Sequence, residues 1–307
     1  MFENILETKG LCKYYGDNLV VDNVDLHVKK GEIYGLLGRN GAGKTTIMKM
    51  IMGLVRVSSG EIYLFDKNII NNQKALYPRI GCLIESPGFY PNMTAYQNMH
   101  AFADLRGSVH EKSIEDALNV VGLPIDGKKI FSEFSLGMKQ RLGVAHAIMN
   151  DPEFLILDEP TNGLDPIGIA EMRDFIKRLS EEREITILLS SHQLNEIEQI
   201  ADTVGIIRNG RLLEERNYRE IIKSNTKYIQ IEVSDVKSAL VLLEQVVLPE
   251  CLRIEGTNKI RIHNLQSTPG EINRFLNDNG IYVNEIYTNK MNLEDYFKKI
   301  TGGEGIA

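Results

Sequence analysis

The nine residues GRNGAGKTT, at positions 38–46, constrain the fold of this chain more than any other stretch. They have the spacing of a phosphate-binding loop, G-x-x-x-x-G-K-[ST]. The short apolar run IYGLL precedes the loop, and the helix-like run TTIMKMIMGL begins inside it. A buried strand, a glycine-rich turn and a helix in this order are the context in which the motif binds phosphate. The sequence therefore predicts an α/β fold that holds a nucleotide.

This loop supplies most of the predicted contacts with the nucleotide. Glycines allow backbone N–H groups to point inward at phosphate oxygens, and the N-terminus of the helix adds its positive end. Lys44 is expected to reach the β- and γ-phosphates, and the Thr45 hydroxyl to ligate Mg²⁺ with Thr46 close by. The predicted nucleotide-binding residues of the loop are Gly38, Arg39, Asn40, Gly41, Ala42, Gly43, Lys44, Thr45 and Thr46.

Composition narrows the remaining classes of protein. The chain has 307 residues, of which 43% are hydrophobic and 25% charged, so it can bury the core of one large domain or two ordinary ones. Its formal net charge of -7 argues against a nucleic-acid binder, which normally carries a basic excess. The scattered cysteines Cys12, Cys82 and Cys251 form neither a disulfide framework nor a metal-binding spacing, which is typical of a reducing cytosol.

The sequence also lacks the features of a secreted or membrane-spanning chain. The N-terminal stretch MFENILETKG carries acidic residues and has no apolar core, unlike a signal peptide. No stretch reaches the ~18–20 consecutive apolar residues of a membrane-spanning helix. If the protein acts at a membrane, we expect a partner chain to cross it.

Apolar runs alternate with helical patterns over roughly the first two hundred residues. FLILDEP and ITILLSSH are typical of buried strands, and the amphipathic stretch EMRDFIKRLSEE lies between them. VGIIRNGRLL predicts two strands that turn at Asn209-Gly210. Buried strands that alternate with helices predict a parallel sheet. Residues 88–150 lack strand runs of comparable strength, and we interpret them as a helical insertion in this first domain, 1–223.

A polar break, SNTK at 224–227, precedes a smaller second region, 227–307. Its segments predict a strand over KYIQIEV, a helix, a pair of strands, a helix, a strand and a last helix over LEDYFKKI. The order βαββαβ is that of a small α+β domain of the ferredoxin-like kind. Ile229, Ile231 and Val233 are expected to lie in its core rather than in a ligand pocket.

The run FLILDEP supplies a second candidate element of the nucleotide site. An acidic residue at the end of a buried strand can hold Mg²⁺ through a water molecule, and Asp158 occupies that place. Glu159 then faces the γ-phosphate and can polarise the attacking water as a general base, an effect worth about 10²–10⁴ in rate. The alternative is that one of these carboxylates only caps the turn that follows.

The stretch SLGMKQR, 135–141, precedes a helix rich in small apolar residues, GVAHAIM. Ser135 and Gly137 are placed to open that helix with free N–H groups, which would form another anion site. A plain N-cap explains the same residues. The anion site gains support only from the position of the stretch just upstream of FLILDEP.

Together these stretches resemble the ATP-binding subunits of ABC transporters over residues 5–220. GRNGAGKTT resembles the Walker A motif of that family, FLILDEP its Walker B motif, and FSLGMKQ a variant of its signature LSGGQ. The resemblance implies a RecA-like P-loop NTPase core with a helical signature subdomain. The implied signature residues, which would contact a nucleotide held by another copy, are Ser135, Leu136, Gly137, Met138, Lys139 and Gln140.

Two further segments carry the resemblance. Asn162-Gly163-Leu164-Asp165 resembles the D-loop, in which Asp165 is the acidic residue. His192, in SSH, resembles the switch histidine that contacts the γ-phosphate. A lone histidine is more often structural, but the spacing of His192 after FLILDEP favours the switch.

The segment KYYG, 13–16, resembles the adenine-stacking segment of the family. The resemblance places the adenine on Tyr15, with Tyr14 as the weaker candidate. Stacking of a base on an aromatic ring is worth about 1–3 kcal/mol and does not select one base. The alternative is a tyrosine that lies in a core strand.

The same resemblance implies a homodimer. Two copies would face each other head to tail and enclose two ATP molecules with Mg²⁺, and the signature of one copy would close over the γ-phosphate held by the other. Hydrolysis would then open the dimer and move separately encoded transmembrane permease subunits at the cytoplasmic face of the membrane. Nucleic acid is not an expected partner.

Glu85, in GCLIESPGFY, departs from the family pattern, which has glutamine at this position of the Q-loop. That glutamine is a Mg²⁺ ligand and begins the segment that touches the membrane partner. A carboxylate is also a competent Mg²⁺ ligand, although its charge repels the γ-phosphate unless the metal intervenes. We therefore interpret Glu85 as a metal-facing sensor that makes engagement strictly dependent on Mg²⁺. The alternative is a solvated or helix-capping glutamate without that role.

The stretches ESPGFYPNMT, FSLGMKQRLG and NGLDPIG, with LEDYFKKITGG near the C-terminus, resemble exporter subunits that give protection against bacitracin and lantibiotics. The resemblance implies export of a membrane-active peptide antibiotic, with another cargo or import as alternatives. A soluble ABC-type ATPase that acts on ribosomes or DNA is a different class, disfavoured by the single cassette and the negative charge. A third hypothesis makes residues 227–307 a regulatory binding module, but Glu159 and His192 argue that the chain still hydrolyses ATP.

Overall fold

The computed structural model describes residues 3–85, 88–107, 111–224, 227–263 and 267–290, together with Tyr296, Phe297 and Ile300. The chain divides into two compact units, of which the first extends to Tyr218 and the second begins at Arg219. This division lies slightly before the polar break at 224–227 that the sequence indicates.

The strands and helices of the first unit follow in chain order. The strands are β1 (Asn4–Tyr15), β2 (Asn18–Val24), β3 (His27–Lys29), β4 (Ile33–Leu37), β5 (Ser59–Leu64), β6 (Lys67–Asn68), β7 (Ile80–Leu83), β8 (Phe154–Asp158), β9 (Thr186–Ser191), β10 (Thr203–Arg208) and β11 (Arg211–Asn217). The helices are α1 (Lys44–Ile51), α2 (Gln73–Leu76), α3 (Ala95–Arg106), α4 (Glu111–Val120), α5 (Leu136–Ile148), α6 (Pro166–Arg183) and α7 (Leu194–Ile200), and α8 (Tyr218–Ser224) follows at the boundary. Short 3-10 helices cover Ile69–Asn71, Tyr77–Arg79 and Phe131–Glu133.

A six-stranded sheet forms the centre of the first unit, in the order β11-β10-β4-β9-β8-β7. Its neighbours from β10 to β7 pair in parallel, and every residue of β4, β8 and β9 is buried. Strands covered on both faces require continuous apolar runs, which is why IYGLL and FLILD are readable in the sequence. The predicted parallel sheet is therefore confirmed, and so is the hairpin between β10 and β11, where Asn209 and Gly210 both have positive φ.

A second, antiparallel sheet is absent from the sequence prediction. Its strands lie in the order β2-β1-β5-β6, and β3 also pairs with β1. Register shifts interrupt the pairing of β1 with β2, β3 and β5, so the two-residue alternation of buried side chains is broken along β1. The prediction of a parallel sheet alone was therefore incomplete for this part of the chain.

Helices α3, α4 and α5 occupy most of the region that the sequence predicts to be helical. Thr94 caps α3 through a capping box with Gln97. The buried side-chain amide of Asn98 donates to the backbone oxygens of Tyr90, Met93 and Thr94, and its oxygen accepts from the Tyr90 N–H. These bonds fix the segment from Tyr90 to Thr94 that leads into α3.

Between residues 227 and 290, the described part of the second unit contains one antiparallel sheet and two α-helices. Its elements are β12 (Lys227–Val233), α9 (Val236–Leu243), β13 (Leu252–Glu255), β14 (Lys259–His263), α10 (Pro269–Asp278) and β15 (Val283–Lys290), with a 3-10 helix over Pro249–Cys251. The strand order is β13-β14-β12-β15. Ile229, Ile231 and Val233 are fully buried in its apolar core, which confirms that prediction. The last helix predicted over LEDYFKKI lies largely outside the described residues.

In the part of the chain that the structure describes, no helix is both long and apolar enough to span a membrane. Cys12, Cys82 and Cys251 form no disulfide with one another.

Candidate active site

Three neighbouring parallel strands end at one edge of the central sheet. The phosphate loop follows β4, Glu159 follows β8, and His192 follows β9. The pairing register aligns Leu37 with Ser191 and Asp158 with Ser190. Ligands of open α/β sheets bind outside the carboxyl ends of the strands, and this edge gathers the predicted catalytic groups there.

The backbone of the phosphate loop depends on its glycines. Gly41 and Gly43 have φ of 80° and 107°, which favour glycine. A Cβ atom at Gly38 would overlap the backbone oxygen of Ile207. Gly43 also begins α1 without a side-chain cap, so the first N–H groups of that helix are available to an anion.

The remaining loop residues differ in burial. Arg39 and Asn40 are exposed, Ala42 is buried, and Thr46 is half-buried.

Lys44 is almost completely buried within this loop, with 5% of its side chain exposed. Its ammonium group donates to the backbone oxygens of Gly38 at 2.6 Å and Arg39 at 3.2 Å. It also forms an ion pair with Glu159 Oε1 at 3.1 Å. A phosphate oxygen that binds Lys44 must therefore compete with the Glu159 carboxylate.

Asp158 and Thr45 form an oxygen pair beside the loop. The Thr45 hydroxyl donates to Asp158 Oδ2 at 2.8 Å, and the Ser190 hydroxyl donates to Asp158 Oδ1 at 2.6 Å. Hydroxyl and carboxylate oxygens are ligands that Mg²⁺ prefers, and this ion takes only one or two carboxylates when substrate phosphates complete its shell. The residues present therefore fit a Mg²⁺ ion bound together with a nucleotide.

Glu159 contacts two functional groups at once. One carboxylate oxygen faces Lys44, and the other lies 2.6 Å from His192 Nδ1. Glu159 has a φ of 49°, in the left-handed region that is costly for a residue with a side chain. Its backbone N–H donates to Ser190 Oγ at 2.9 Å, which holds this conformation. The structure thus brings Lys44, Glu159 and His192 into one cluster.

Tyr15 lies at the end of β1, where it pairs with Asn18 across the β1–β2 turn. Its side chain is 49% exposed, and that of Tyr14 is 48% exposed. The Lys13 ammonium group lies 4.8 Å from the centre of the Tyr15 ring. Both tyrosine side chains therefore leave surface for a base, and neither is buried in a core strand.

The signature residues lie with the D-loop segment. Ser135 is the N-cap of α5 and accepts from the Met138 N–H at 3.3 Å, and Asp165 is the N-cap of α6 and accepts from the Gly168 N–H at 2.7 Å. A cleft of about 430 Å³ is lined by both segments. The signature residues that line this cleft are Ser135, Leu136, Gly137 and Met138.

Farther along α5, the ammonium group of Lys139 lies 5.3 Å from the centre of the Phe131 ring. The side-chain oxygen of Gln140 is buried without a hydrogen-bond partner among the described residues. Within the described ranges, no hydrogen bond or ion pair joins the signature residues to Lys44, Asp158 or Glu159. The sequence-predicted residues thus form two separate groups in one chain.

Glu85 follows the edge strand β7 with a φ of 63°. Its side chain is 64% exposed, and Oε1 accepts a hydrogen bond from Lys49 Nζ at 2.5 Å. This bond raises the pKa of Lys49, and smaller contributions to the rise come from Tyr15 and Asp158. Lys49 therefore lies within electrostatic reach of Asp158, and the metal-facing role of Glu85 stays a prediction.

Sequence reasoning missed Ser190 and Lys49. Ser190 lies in the predicted strand ITILLSSH, two residues before His192, but its contacts with Asp158 and Glu159 depend on how β8 and β9 align. Lys49 is separated from Glu85 by 36 positions. For Ser190, the sequence offers one signal, which is a serine near the carboxyl end of the strand next to the strand that ends at Asp158. No feature of the sequence indicates Lys49.

The fold and this cluster define a cassette of the P-loop class that binds and hydrolyses a nucleotide. The sequence matches the family model described as "ABC transporter" over residues 21–162. It is 51% identical to the bacitracin transport ATP-binding protein BcrA of Enterococcus faecalis, over 100% of this chain and 99% of that protein. The chain therefore belongs to the family of ABC transporter ATP-binding proteins, and it is an ATPase.

Two further similarities agree with this family. The lantibiotic transport ATP-binding protein SrtF of Streptococcus pyogenes is 45% identical over 70% of this chain and 91% of its own length. The solved structure of cbiO1 from Clostridium perfringens, part of an ABC transporter complex, aligns with a TM-score of 0.65 and 28% identity. That alignment covers 73% of this chain and 92% of cbiO1, and it confirms the predicted ABC cassette fold.

Proposed function

We propose that this chain is the ATP-hydrolysing subunit that powers a membrane permease which exports a peptide antibiotic of the bacitracin or lantibiotic type. The observation that carries the catalytic part is the cluster of Lys44, Thr45, Asp158, Glu159 and His192 at one edge of the sheet. The cargo class rests on two relatives, whose names state bacitracin transport and lantibiotic transport.

Each residue of the cluster has one role in this proposal. Lys44 binds the β- and γ-phosphates, and Thr45 and Asp158 hold Mg²⁺. When bound, this ion neutralises charge on the phosphates. Glu159 accepts the proton of the attacking water, and His192 contacts the γ-phosphate and orients Glu159 through their hydrogen bond. Tyr15 supplies the surface on which the adenine stacks.

The dimer follows from the separation of the two groups of residues. The start of α5 shares a cleft with the D-loop segment and has no bond to Lys44, Asp158 or Glu159 of its own chain within the described ranges. In the proposal, Ser135 and Gly137 contact the γ-phosphate held by a second copy. The N-terminus of a thirteen-residue helix suits that contact, because its first N–H groups attract an anion.

We assign the chain to the cytoplasmic face of the membrane, beside permease subunits encoded separately. Opening of the dimer after hydrolysis would move those subunits. In this proposal Glu85, which follows β7, begins the segment that touches the permease, so a change at the metal site can reach that contact. In this proposal Glu85 is the metal-facing sensor, and its ion pair with Lys49 holds it when the metal does not.

For the second unit, we propose an accessory domain of the ferredoxin-like kind, 227–307. Its order β13-β14-β12-β15 is entirely antiparallel, and the first strand of the unit lies between the third and the fourth. A βαββαβ chain produces this order when both helices cover one face.

The test is protection of a sensitive bacterium. The protein is expressed with the membrane-protein genes found beside its own, and the bacitracin and lantibiotic concentrations that stop growth are measured. Glu159→Gln is the matched control because it removes the general base and keeps the side-chain size. Protection that disappears in Glu159→Gln supports ATP-driven export of these peptides.

A negative result separates the parts of the proposal. Absence of protection, with normal ATP hydrolysis by the purified complex, contradicts the antibiotic cargo and leaves the transporter subunit in place. Full hydrolysis by Glu159→Gln contradicts the proposed catalytic roles.

A further inference from the structure

Glu196 is a buried carboxylate to which the roles proposed above assign no function. It lies in α7 and is 8% exposed. A single oxygen, Oε2, accepts two hydrogen bonds, from the Thr161 hydroxyl at 2.5 Å and from the Ser191 hydroxyl at 3.1 Å. Its other oxygen is buried and has no hydrogen-bond partner among the described residues.

The two donors belong to the two segments that carry the proposed catalytic pair. Thr161 lies two residues after Glu159, in the turn in which the Asn162 N–H donates to the Glu159 backbone oxygen at 3.0 Å. Ser191 directly precedes His192. Both hydroxyl-bearing residues are buried, with 5% of Thr161 and 1% of Ser191 exposed.

Ser191 also reaches the phosphate loop. Its backbone oxygen accepts a hydrogen bond from the Gly38 N–H at 3.3 Å. Glu196 is therefore connected to two parts of the site. Through Ser191 it is linked to the start of the phosphate loop, and through Thr161 it is linked to the turn that follows Glu159. Burial of a carboxylate lowers the stability of the fold unless its hydrogen bonds compensate. An apolar side chain would fill the same space at a lower cost in free energy, which favours a functional role for the Glu196 carboxylate.

The geometry points to Glu196 as a positioning residue for ATP hydrolysis, whose carboxylate holds the turn after Glu159 against the residue before His192. This inference rests on the catalytic roles proposed for Glu159 and His192. Glu196 touches neither group directly. It sets the separation of the two chain segments, and so the 2.6 Å contact between Glu159 and His192.

The test uses the full-length chain and two substitutions of Glu196. Glu196→Leu keeps the approximate volume and removes both accepted bonds. We expect kcat for ATP hydrolysis to fall about 10²-fold, the cost of a misplacement of roughly 1 Å, with little change in KM. Glu196→Gln keeps an oxygen acceptor at the Oε2 position, so it should restore most of the activity. A residue that only supports the fold would lower ATP binding and the melting temperature together with kcat.

Thr161→Val and Ser191→Ala provide an independent measurement if Glu196→Leu does not fold. Each removes one donor to Glu196. Thr161→Val should lower kcat less than Glu196→Leu does, whereas Ser191→Ala also removes the acceptor of the Gln193 N–H. Adding Thr161→Val to Glu196→Leu should cost nothing further, because both changes remove the same bond.

Three results would overturn the inference. They are a wild-type kcat in Glu196→Leu, an equal loss in Glu196→Gln and Glu196→Leu, and strictly additive losses in the double variant. Glu159→Gln is measured in parallel. If it hydrolyses ATP normally, the proposed catalytic roles fail first, whereas an inactive Glu159→Gln beside an active Glu196→Leu contradicts only the role of Glu196.

Discussion

The ion pair between Lys49 and Glu85 gives a quantitative prediction about the dependence of hydrolysis on Mg²⁺. If Glu85 is a metal-facing sensor, engagement of the metal competes with the hydrogen bond to Lys49 at 2.5 Å. Lys49→Met removes this competitor and keeps the length of the side chain. The Mg²⁺ concentration that gives half-maximal ATP hydrolysis should therefore fall.

The size of the fall is limited by the strength of the pair. The side chains of Lys49 and Glu85 are 27% and 64% exposed, so water screens their attraction. Pairs of this kind contribute about 0.2–1 kcal/mol, and the upper value corresponds to a factor of roughly five in an equilibrium constant. We expect the half-maximal Mg²⁺ concentration to fall by up to this factor.

The assay is a Mg²⁺ titration of ATP hydrolysis at fixed ATP in four proteins. These are wild type, Lys49→Met, Glu85→Gln and the double variant. Lys49 also lies near Asp158, so loss of its charge alone favours a cation. The loss of the Lys49 charge should lower the half-maximal Mg²⁺ concentration whether residue 85 is glutamate or glutamine. The release of the Glu85 carboxylate from Lys49 should lower it only when residue 85 is glutamate. The sensor role of Glu85 would be refuted if Lys49→Met shifted the half-maximal Mg²⁺ concentration equally with glutamate and with glutamine at position 85. It would also be refuted if a further variant, Glu85→Ala, kept the stimulated ATP hydrolysis of the wild type.

Two stability predictions follow from contacts outside the site. Arg79 binds both carboxylate oxygens of Glu153, at 2.6 and 2.8 Å, and this bond lowers the pKa of Glu153. A carboxyl group with a lowered pKa stabilises the fold at pH values above its ordinary pKa of about 4.3, and this stabilisation is lost as the pH falls through the pKa of the folded state. Glu153→Gln should therefore flatten the acid side of the profile of melting temperature against pH. The stabilisation that it removes is at most about 1 kcal/mol, because the pair is half-exposed. Gly205→Ala should cost about 1–3 kcal/mol in denaturant unfolding, because the new methyl group overlaps the hydroxyl of the buried Tyr34. Gly270→Ala makes only an ordinary van der Waals contact with the Thr268 hydroxyl at 4.0 Å and should be near neutral. An unchanged acid profile in the first case, or equal midpoints in the second, would contradict these assignments.

The parts of the fold that the sequence predicts are those encoded in contiguous residues. IYGLL and FLILD are buried on both faces, so their apolar runs identify central strands directly. The pattern of β1 is harder to read, because polar residues such as Lys9 and Lys13 lie in a strand that shifts register against its partners. The second sheet therefore depends on pairings between distant segments that no local pattern contains.

The candidate site divides in the same way. Lys44, Asp158 and His192 lie in motifs with a fixed spacing, and the sequence predicts each of them as a site residue without knowledge of the fold. The Ser190 hydroxyl donates a hydrogen bond to Asp158 only because β8 and β9 align these two positions. Glu196 likewise acquires its two donors from a turn 35 positions away and from the end of β9. Such supporting residues become visible only when the strands have been placed side by side.

The order of strands in the central sheet also places the proposed hydrolytic residues and Glu85 in different surroundings. Strands β4, β9 and β8 are neighbours in which every residue is buried, so a change in the packing of one strand would disturb the others. Strand β7 lies at the margin, and the segment that starts at Glu85 leaves the sheet from there. In the proposed function, the segment that touches the permease therefore lies at the margin of the sheet and the hydrolytic residues lie at its centre, so a change in one region can leave the packing of the other intact.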